Sequence, residues 1–184
     1  GFLVATLCFS FAYNGVVAFL PLYLVRAGNV SRTTASLLYG LLFAVSVVQL
    51  GTGELSDRMG RLSVVVATMG LATVALALLV VVPAAGPTVA GIPVGTAGAV
   101  AALGVGCHGF RPVRAAHVEA ILPDALAGGG LGVVRTGLMG AGAIAPAVVG
   151  IVAERTGFQT AFGLLLATLL MVLVLSVALW LHDR

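Results

Sequence analysis

Long apolar runs separated by short polar turns make up nearly the whole sequence. Each run approaches the ~20 residues that an α-helix needs to cross a hydrocarbon core roughly 30 Å thick. The pattern therefore predicts an all-α fold, an integral membrane bundle of six helices joined by short connections. The predicted runs cover about 1–25, 35–50, 62–82, 88–122, 131–153 and 158–181.

Composition supports a membrane bundle and excludes a soluble domain. Of the 184 residues, 60% are hydrophobic and 8% are charged, and the mean hydropathy is +1.18. A soluble domain carries roughly 25% charged residues, which it needs to cover its surface. All of residues 1–184 are therefore assigned to one unit of membrane helices.

The charged and cysteine residues exclude several partners. All nine basic residues are arginines, and they are scattered, whereas a nucleic-acid interface needs a basic patch with interleaved aromatic residues. Cys8 and Cys107 are isolated in apolar runs and are expected to pack as small hydrophobic residues. We therefore expect no nucleic acid, no metal and no cofactor. The chain opens inside an apolar run without an initiator Met, which suggests a piece of a longer protein.

The distribution of arginines indicates an orientation. If both ends of the chain lie in the cytosol, five arginines fall on the inside and three on the outside, the sense favoured by the positive-inside rule. The inside set is Arg58, Arg61, Arg111, Arg114 and Arg184, and the outside set is Arg26, Arg32 and Arg155.

A polar cluster follows the second run, and each of its residues suits a tight loop between two helices. Gly53 would let the helix end pack closely, and Gly60 would permit the reversal of the chain. Asp57 can accept hydrogen bonds from free amides at a neighbouring helix N-terminus. Arg58 and Arg61 would hold the cluster on the cytosolic side. We expect this loop to gate a conformational exchange.

Part of the cluster recurs later in the chain. The pattern Gly53-x-x-x-Asp57-Arg58-x-Gly60 returns 97 residues on, after the fifth run, as Gly150-x-x-x-Glu154-Arg155-x-Gly157. Three crossings apart, the two copies lie on opposite membrane faces. The recurrence predicts two inverted three-helix repeats, about 1–82 and 88–181.

The cluster resembles the signature loop of the major facilitator superfamily, G-x-L-x-D-R-x-G-R-R, with Leu62 in place of the last arginine. The resemblance implies one six-helix half of a secondary, alternating-access carrier in the cell membrane. It also implies a small-molecule substrate, contact with lipid, and a second six-helix half in the same chain or in another copy.

The fourth and fifth runs extend the resemblance. Gly132, Ala141, Pro146 and Gly150 fall on the family pattern G-x8-G-x3-G-P-x2-G-G, which is associated with exporters when it lies in the N-terminal half. The arginine of the fourth-helix pattern is Val100 here, which, with the absent lead-in, points to the C-terminal half. The resemblance therefore leaves an exporter of small organic compounds as one expectation.

The fifth run also carries a face of small residues. Gly142, Pro146 and Gly150 recur every four residues and so share one side of a helix. We expect this side to pack closely on a neighbouring helix.

Inserting a charged side chain at membrane depth costs about 2.5–3.5 kcal/mol, so the presence of Arg111 and Arg135 in apolar runs requires an explanation. They are candidates for binding an anionic group of a substrate, or acids in a second half. The alternative is that they reach the cytosolic interface or pair with Glu119 and Asp124. His108 is a candidate proton relay or a hydrogen-bonded structural residue.

Three further polar residues lie in apolar runs. Tyr13, Asn14 and Gln49 are candidates for a substrate cavity, with hydrogen bonds between helices as the alternative.

Two other classes of function compete with a carrier. A membrane enzyme is disfavoured, because the sequence has no H-E-x-x-H, no G-x-S-x-G and no paired carboxylates for acid–base work. A six-helix channel or a membrane scaffold uses the same kind of helices and stays open as the alternative.

Overall fold

The computed structural model describes residues 1–82, 87–121 and 127–183, and it confirms an all-α bundle of six spans. Five spans are single helices, and the second span is a helix interrupted by one 3-10 turn. The single helices are α1 (Phe2–Arg26), α4 (Arg61–Val81), α5 (Val94–Ile121), α6 (Ala127–Thr156) and α7 (Phe158–His182). The second span consists of α2 (Arg32–Ala44), the 3-10 turn Val45–Val48 and α3 (Gln49–Met59). A short hairpin, β1 (Thr88–Val89) and β2 (Ile92–Pro93), precedes α5.

Among the described residues, five spans are both long and apolar enough to cross a membrane, and α5 falls short on apolarity. With 28 residues α5 has ample length. Its glycines, together with His108, Arg111, Arg114 and His117, make it more polar than the others. The fourth span is therefore the helix that carries most of the ionisable chemistry inside the bundle.

The main helix contacts repeat between the two halves of the chain, except that the contact of α1 with α2 has no comparable counterpart between α5 and α6. α1 packs on α6 and α7, α5 packs on the second span and on α4, and α4 packs on α7. Exchanging α1 for α5, the second span for α6, and α4 for α7 reproduces these contacts. This is the arrangement expected of two related three-helix units.

Single glycines make the two sharp reversals between helices. Gly60 separates α3 from α4 with φ +85°, and Gly157 separates α6 from α7 with φ +93°. Both values lie in the region that a residue with a Cβ rarely adopts. The reversal predicted at Gly60 is therefore present, and its counterpart occurs at the equivalent place in the second pattern.

The polar cluster itself is not a loop, which corrects the expectation from its composition. Gly53, Asp57 and Arg58 lie on α3, and Arg61 is the first residue of α4. A Cβ at Gly53 would meet no atom within 4 Å, so Gly53 makes no close packing in this bundle. The polar residues place this end of the span in water, and its backbone stays helical.

Both chain ends and the Gly60 turn lie at the same end of the bundle, as predicted. The Trp180 indole donates a hydrogen bond to Ser63 Oγ at 2.9 Å, joining the end of α7 to the start of α4. The ring centroids of Phe2 and His117 are 4.3 Å apart, joining the start of α1 to the end of α5. Trp180 therefore lies at the end of the bundle, the position expected of an indole ring at a membrane surface.

The fourth span begins later than its apolar run suggested. The predicted start near residue 88 is wrong, because residues 88–93 form the antiparallel hairpin and α5 begins at Val94. Ala90 and Gly91 both have positive φ, the geometry of a tight two-residue hairpin turn. The turn and helix-ending residues expected at Pro83, Gly86, Pro123 and Asp124 lie outside the described residues.

Two local features fix the ends and the packing of the helices. Ser31 caps α2, because its side chain accepts a hydrogen bond from the Thr34 amide at 3.1 Å. A Cβ at Gly106 would lie 2.6 Å from the Thr68 carbonyl oxygen, so α4 and α5 meet at backbone distance. Small residues allow this approach in membranes, where close packing drives helix association.

Candidate functional site

A cavity of about 610 Å³ lies between α1, α5 and α6, toward the end of the bundle that holds the chain termini. Its polar wall combines hydroxyl, amide and guanidinium groups from all three helices, and apolar side chains complete it. The polar residues are Ser10, Tyr13, Asn14, Arg111, Arg114 and Arg135.

Helical spacing explains why these residues share one wall. Ser10 and Asn14 are four residues apart on α1, and Arg111 and Arg114 are three apart on α5. Residues at these spacings lie on the same side of a helix. The cavity thus forms where the polar sides of three helices converge.

Contacts between α1 and α6 fix the back of the cavity. Ser10 Oγ donates to the Leu138 carbonyl at 2.7 Å, and Asn14 Nδ2 donates to the Ser10 carbonyl at 2.8 Å. A Cβ at Gly142 would lie 2.6 Å from Asn14 Nδ2, so this glycine leaves the space that the amide occupies. The two helices are held in a fixed register at the cavity.

The face of small residues on α6 is turned toward α1. Besides Gly142, a Cβ at Gly150 would lie 3.5 Å from Phe19 Cζ, an ordinary contact distance. Pro146, between them, is half-buried. Gly142 is therefore the position of the three where a side chain has least room.

Three guanidinium groups face the cavity. Arg111 Cζ lies 5.7 Å from the centre of the Tyr13 ring, a cation–π distance. Arg114 is half-buried, and Arg135 is exposed in the six-helix unit. In the described part of the chain, none of the three forms an ion pair.

Of the two acids proposed as partners, the described one, Glu119, does not neutralise these arginines. Glu119 is exposed on α5 and takes part in no ion pair there, and Asp124 lies outside the described residues. The ion pair that is formed joins Arg58 to Glu54 at 2.5 Å on the surface of α3.

His108 lies behind the cavity wall and not on it. Its side chain is 2% exposed. Its ring centroid is 5.8 Å from that of Tyr13 and 5.8 Å from that of Phe43. In the part of the chain that the structure describes, neither ring nitrogen makes a well-formed hydrogen bond, although the Leu42 backbone on α2 lies near the ring.

Gln49 is not brought to the cavity, which corrects its placement among the cavity candidates. It begins α3, and its Nε2 donates to the Ser46 carbonyl at 3.2 Å within the second span. In the 3-10 turn that precedes it, the Ser46 carbonyl also accepts the backbone N–H of Gln49, so the main chain and the side chain of Gln49 share one acceptor.

The structure adds two polar residues that the cavity candidates left out. Arg114 lies one turn from Arg111, and Ser10 lies one turn from Asn14. In both cases the helical spacing was a sufficient signal.

The motif residues lie at the same end of the bundle but apart from the cavity. Asp57 is exposed, and it accepts no hydrogen bond from any described residue. The helix N-terminus that Asp57 was expected to meet is therefore not supplied by the described part of this chain.

The sequence model of the family described as the Major Facilitator Superfamily matches residues 2–184. The chain is 30% identical over 86 residues to a protein of Bacillus subtilis (strain 168) named Uncharacterized MFS-type transporter YwfA, a match covering 45% of the chain and 20% of that relative. It also matches the crystal structure of the POT family transporter PepTSo with a TM-score of 0.80 and 16% identity, over 99% of the chain and 36% of that structure. The chain therefore spans less than half the length of either protein.

Proposed function

Because the chain belongs to the major facilitator superfamily, we propose that it is one six-helix half of a secondary carrier that binds a small organic anion in the cavity between α1, α5 and α6. Membership of the family makes the chain an integral, multi-pass protein of the cell membrane. It also makes solute transport, and not an enzymatic reaction, its general role.

The observation that carries the anion proposal is the set of three arginines facing one cavity. Each guanidinium inside a membrane needs compensation, and no described acid provides it. A carboxylate, sulfonate or phosphate would supply it, and arginine binds such groups with two parallel hydrogen bonds. Phe9 and Met139 line the same cavity and offer an apolar surface to the organic part of the solute.

The proposed carrier needs a second six-helix half, in the same chain or in another copy. It would close the open side of the cavity, and the greater length of the matched relatives supports this. We place the partner of Asp57 at a helix N-terminus of that half. Within the present chain, the repeats 1–82 and 88–181 would rock against each other and the second half during alternating access.

The direction of transport is open to a separate test. The likeness of α6 to the exporter pattern, in which Ala141 and Ala145 replace two glycines, supports outward movement of organic compounds if the chain is the N-terminal half of the carrier, whereas Val100 points to the C-terminal half. Uptake into inside-out vesicles exceeding uptake into right-side-out vesicles, under the same gradients, would support export.

The test of the carrier uses the full-length protein in liposomes with radiolabelled benzenesulfonate. A carrier gives saturable uptake that unlabelled benzenesulfonate inside the vesicles accelerates, and benzylamine should not compete. Arg135→Gln should abolish uptake, while Arg155→Gln, an exposed position at the end of α6, should not. Non-saturable flux without countertransport would instead show a channel, and saturable transport of benzylamine alone would refute the anion.

A further inference from the structure

The imidazole of His108 is buried beside the cavity and has no role in the anion binding proposed above. It lies midway along α5, with its side chain 2% exposed. Neither ring nitrogen makes a well-formed hydrogen bond among the described residues, and the polar group that approaches the ring is the Leu42 backbone on α2. Because a buried polar group without a partner is costly, such a group calls for an explanation, and functional sites are where exceptions concentrate.

Tyr13 connects His108 to the anion site. The Tyr13 ring contacts two groups of α5. Its centroid lies 5.8 Å from that of the His108 ring and 5.7 Å from Arg111 Cζ. Arg111 also follows His108 by one turn on α5. Arg111 is exposed to the cavity while His108 is buried, and both contact the same Tyr13 ring, so a charge bound at Arg111 lies close enough to act on His108 electrostatically.

The surroundings of His108 contain no acidic group among the described residues. The other titratable or charged groups near it are Tyr13 on α1, Tyr39 on α2, whose ring lies 5.1 Å from that of Phe43, and Cys107, Arg111 and Arg114 on α5 itself. Arg135 faces the same cavity from α6. The acids within the described ranges all lie near helix ends: Glu54, Asp57, Glu119, Glu154 and Asp183.

We propose that His108 is the proton-binding site of this carrier and takes up one proton when an anion occupies the cavity. With the cavity empty, the Arg111 charge opposes a second positive charge on His108. A bound anion offsets that charge, so a proton from water settles on a ring nitrogen and returns to water when the anion leaves. This proposal rests on the anion site proposed above and adds the coupling ion to it.

Thermodynamic linkage makes the coupling reciprocal. If an anion favours the proton, the proton favours the anion by the same factor, so anion affinity rises as pH falls. Anion and proton then move together, and an acidic exterior drives the anion inward. The coupling therefore predicts import under such a gradient, opposite to the direction that the exporter pattern of α6 supports.

The decisive measurement is the proton count on binding. Purified full-length protein is titrated with benzenesulfonate or sulfate, strong-acid anions whose charge does not change near neutrality. Calorimetry at about pH 6.5, where an unperturbed imidazole is half protonated, is run in two buffers of different ionisation enthalpy. We expect uptake approaching about one proton per anion, and an affinity that rises by up to roughly tenfold per pH unit of acidification.

His108→Gln should bind the anion without proton uptake and with an affinity that does not depend on pH. If His108 had only a structural role, the substitution would lower the affinity by the same factor at every pH. His117→Gln is the matched control, because His117 lies on the same helix against Phe2 and away from the cavity wall. His108→Asn replaces the glutamine variant should that one aggregate, and the proton count of the unmodified protein needs no variant.

Each outcome separates the two proposals. Anion binding without proton uptake, or uptake that persists in His108→Gln, overturns the role of His108 and leaves the anion site intact. A failure of both anions to bind the unmodified protein at any pH overturns the anion site itself.

Discussion

Gly142 on α6 and Asn14 on α1 occupy one space, since a Cβ at position 142 would lie 2.6 Å from Asn14 Nδ2. The Asn14 amide fills this space while it donates to the Ser10 carbonyl. The same two residues therefore form both the contact between α1 and α6 and part of the cavity wall.

Gly142→Ala should destabilise the protein by about 1–3 kcal/mol, because overpacking at a tight contact forces side chains or backbones apart. The measurement is thermal unfolding of the purified protein in detergent. Gly140→Ala is the control, since a Cβ there meets no atom within 4 Å. This control should melt at the same temperature or slightly higher, because alanine favours a helix. Equal melting temperatures for the two variants would refute the close contact.

Arg135→Lys should weaken anion binding while the protein folds normally. Lysine keeps the charge and loses the two-pronged hydrogen bonding of a guanidinium. A loss of about 1 kcal/mol, close to fivefold in Kd for benzenesulfonate, is expected from one charge-assisted bond. Arg155→Lys, at the exposed end of α6, serves as the control and should bind like the unmodified protein. An unchanged Kd for Arg135→Lys would remove Arg135 from the anion site.

Asp57→Asn should slow transport at near-normal membrane abundance. The substitution keeps the size of the side chain and removes the charge proposed to dock on a helix N-terminus of the second half, an interaction worth ~0.3–1 kcal/mol. Glu54→Gln is the control, because Glu54 pairs on the surface with Arg58, and exposed pairs contribute little. Transport rates that stay the same in Asp57→Asn would argue against a gating role.

Labelling of Met59→Cys tests the cytosolic placement of the Gly60 turn. Met59 is 61% exposed, whereas Ser56 is 3% exposed and donates to the Gly53 carbonyl, so a cysteine at 56 would be shielded. In a background with Cys8→Ala and Cys107→Ala, an impermeant maleimide should label Met59→Cys after the cells are opened. Asn29→Cys, in the exposed turn after α1, should react in intact cells. The reverse pattern would invert the orientation.

Apolar run length was enough to predict the six spans, because the bilayer fixes how long a spanning helix must be. The backbone of the polar cluster was not predictable in this way. Glu54–Met59 reads as a loop by polarity, yet polarity reports whether water or lipid surrounds a residue, and α3 continues through the cluster to end at Gly60. The start of α5 was misplaced for a related reason, since Val89 and Ile92 are apolar residues of a hairpin.

Spacing within one helix predicted part of the cavity, and packing between helices decided the rest. The shared side of Arg111 and Arg114 follows from their separation of three residues. That Arg135 of α6 faces the cavity depends on how α6 lies against α1, which Gly142 and Ser10 fix by contacts between those two helices. Gln49 failed as a candidate because its own helix turned it toward Ser46.

The backbone contact of Gly106 with Thr68 has a consequence for biogenesis. α5 is the span that the translocon would release into lipid least readily, because it holds two arginines and two histidines. It emerges from the ribosome after α4, and the close approach at Gly106 gives it a protein surface to dock on in place of lipid. A bulky residue at position 106 would therefore impair assembly. It would lower the amount of protein in the membrane and leave the transport rate of each assembled molecule unchanged.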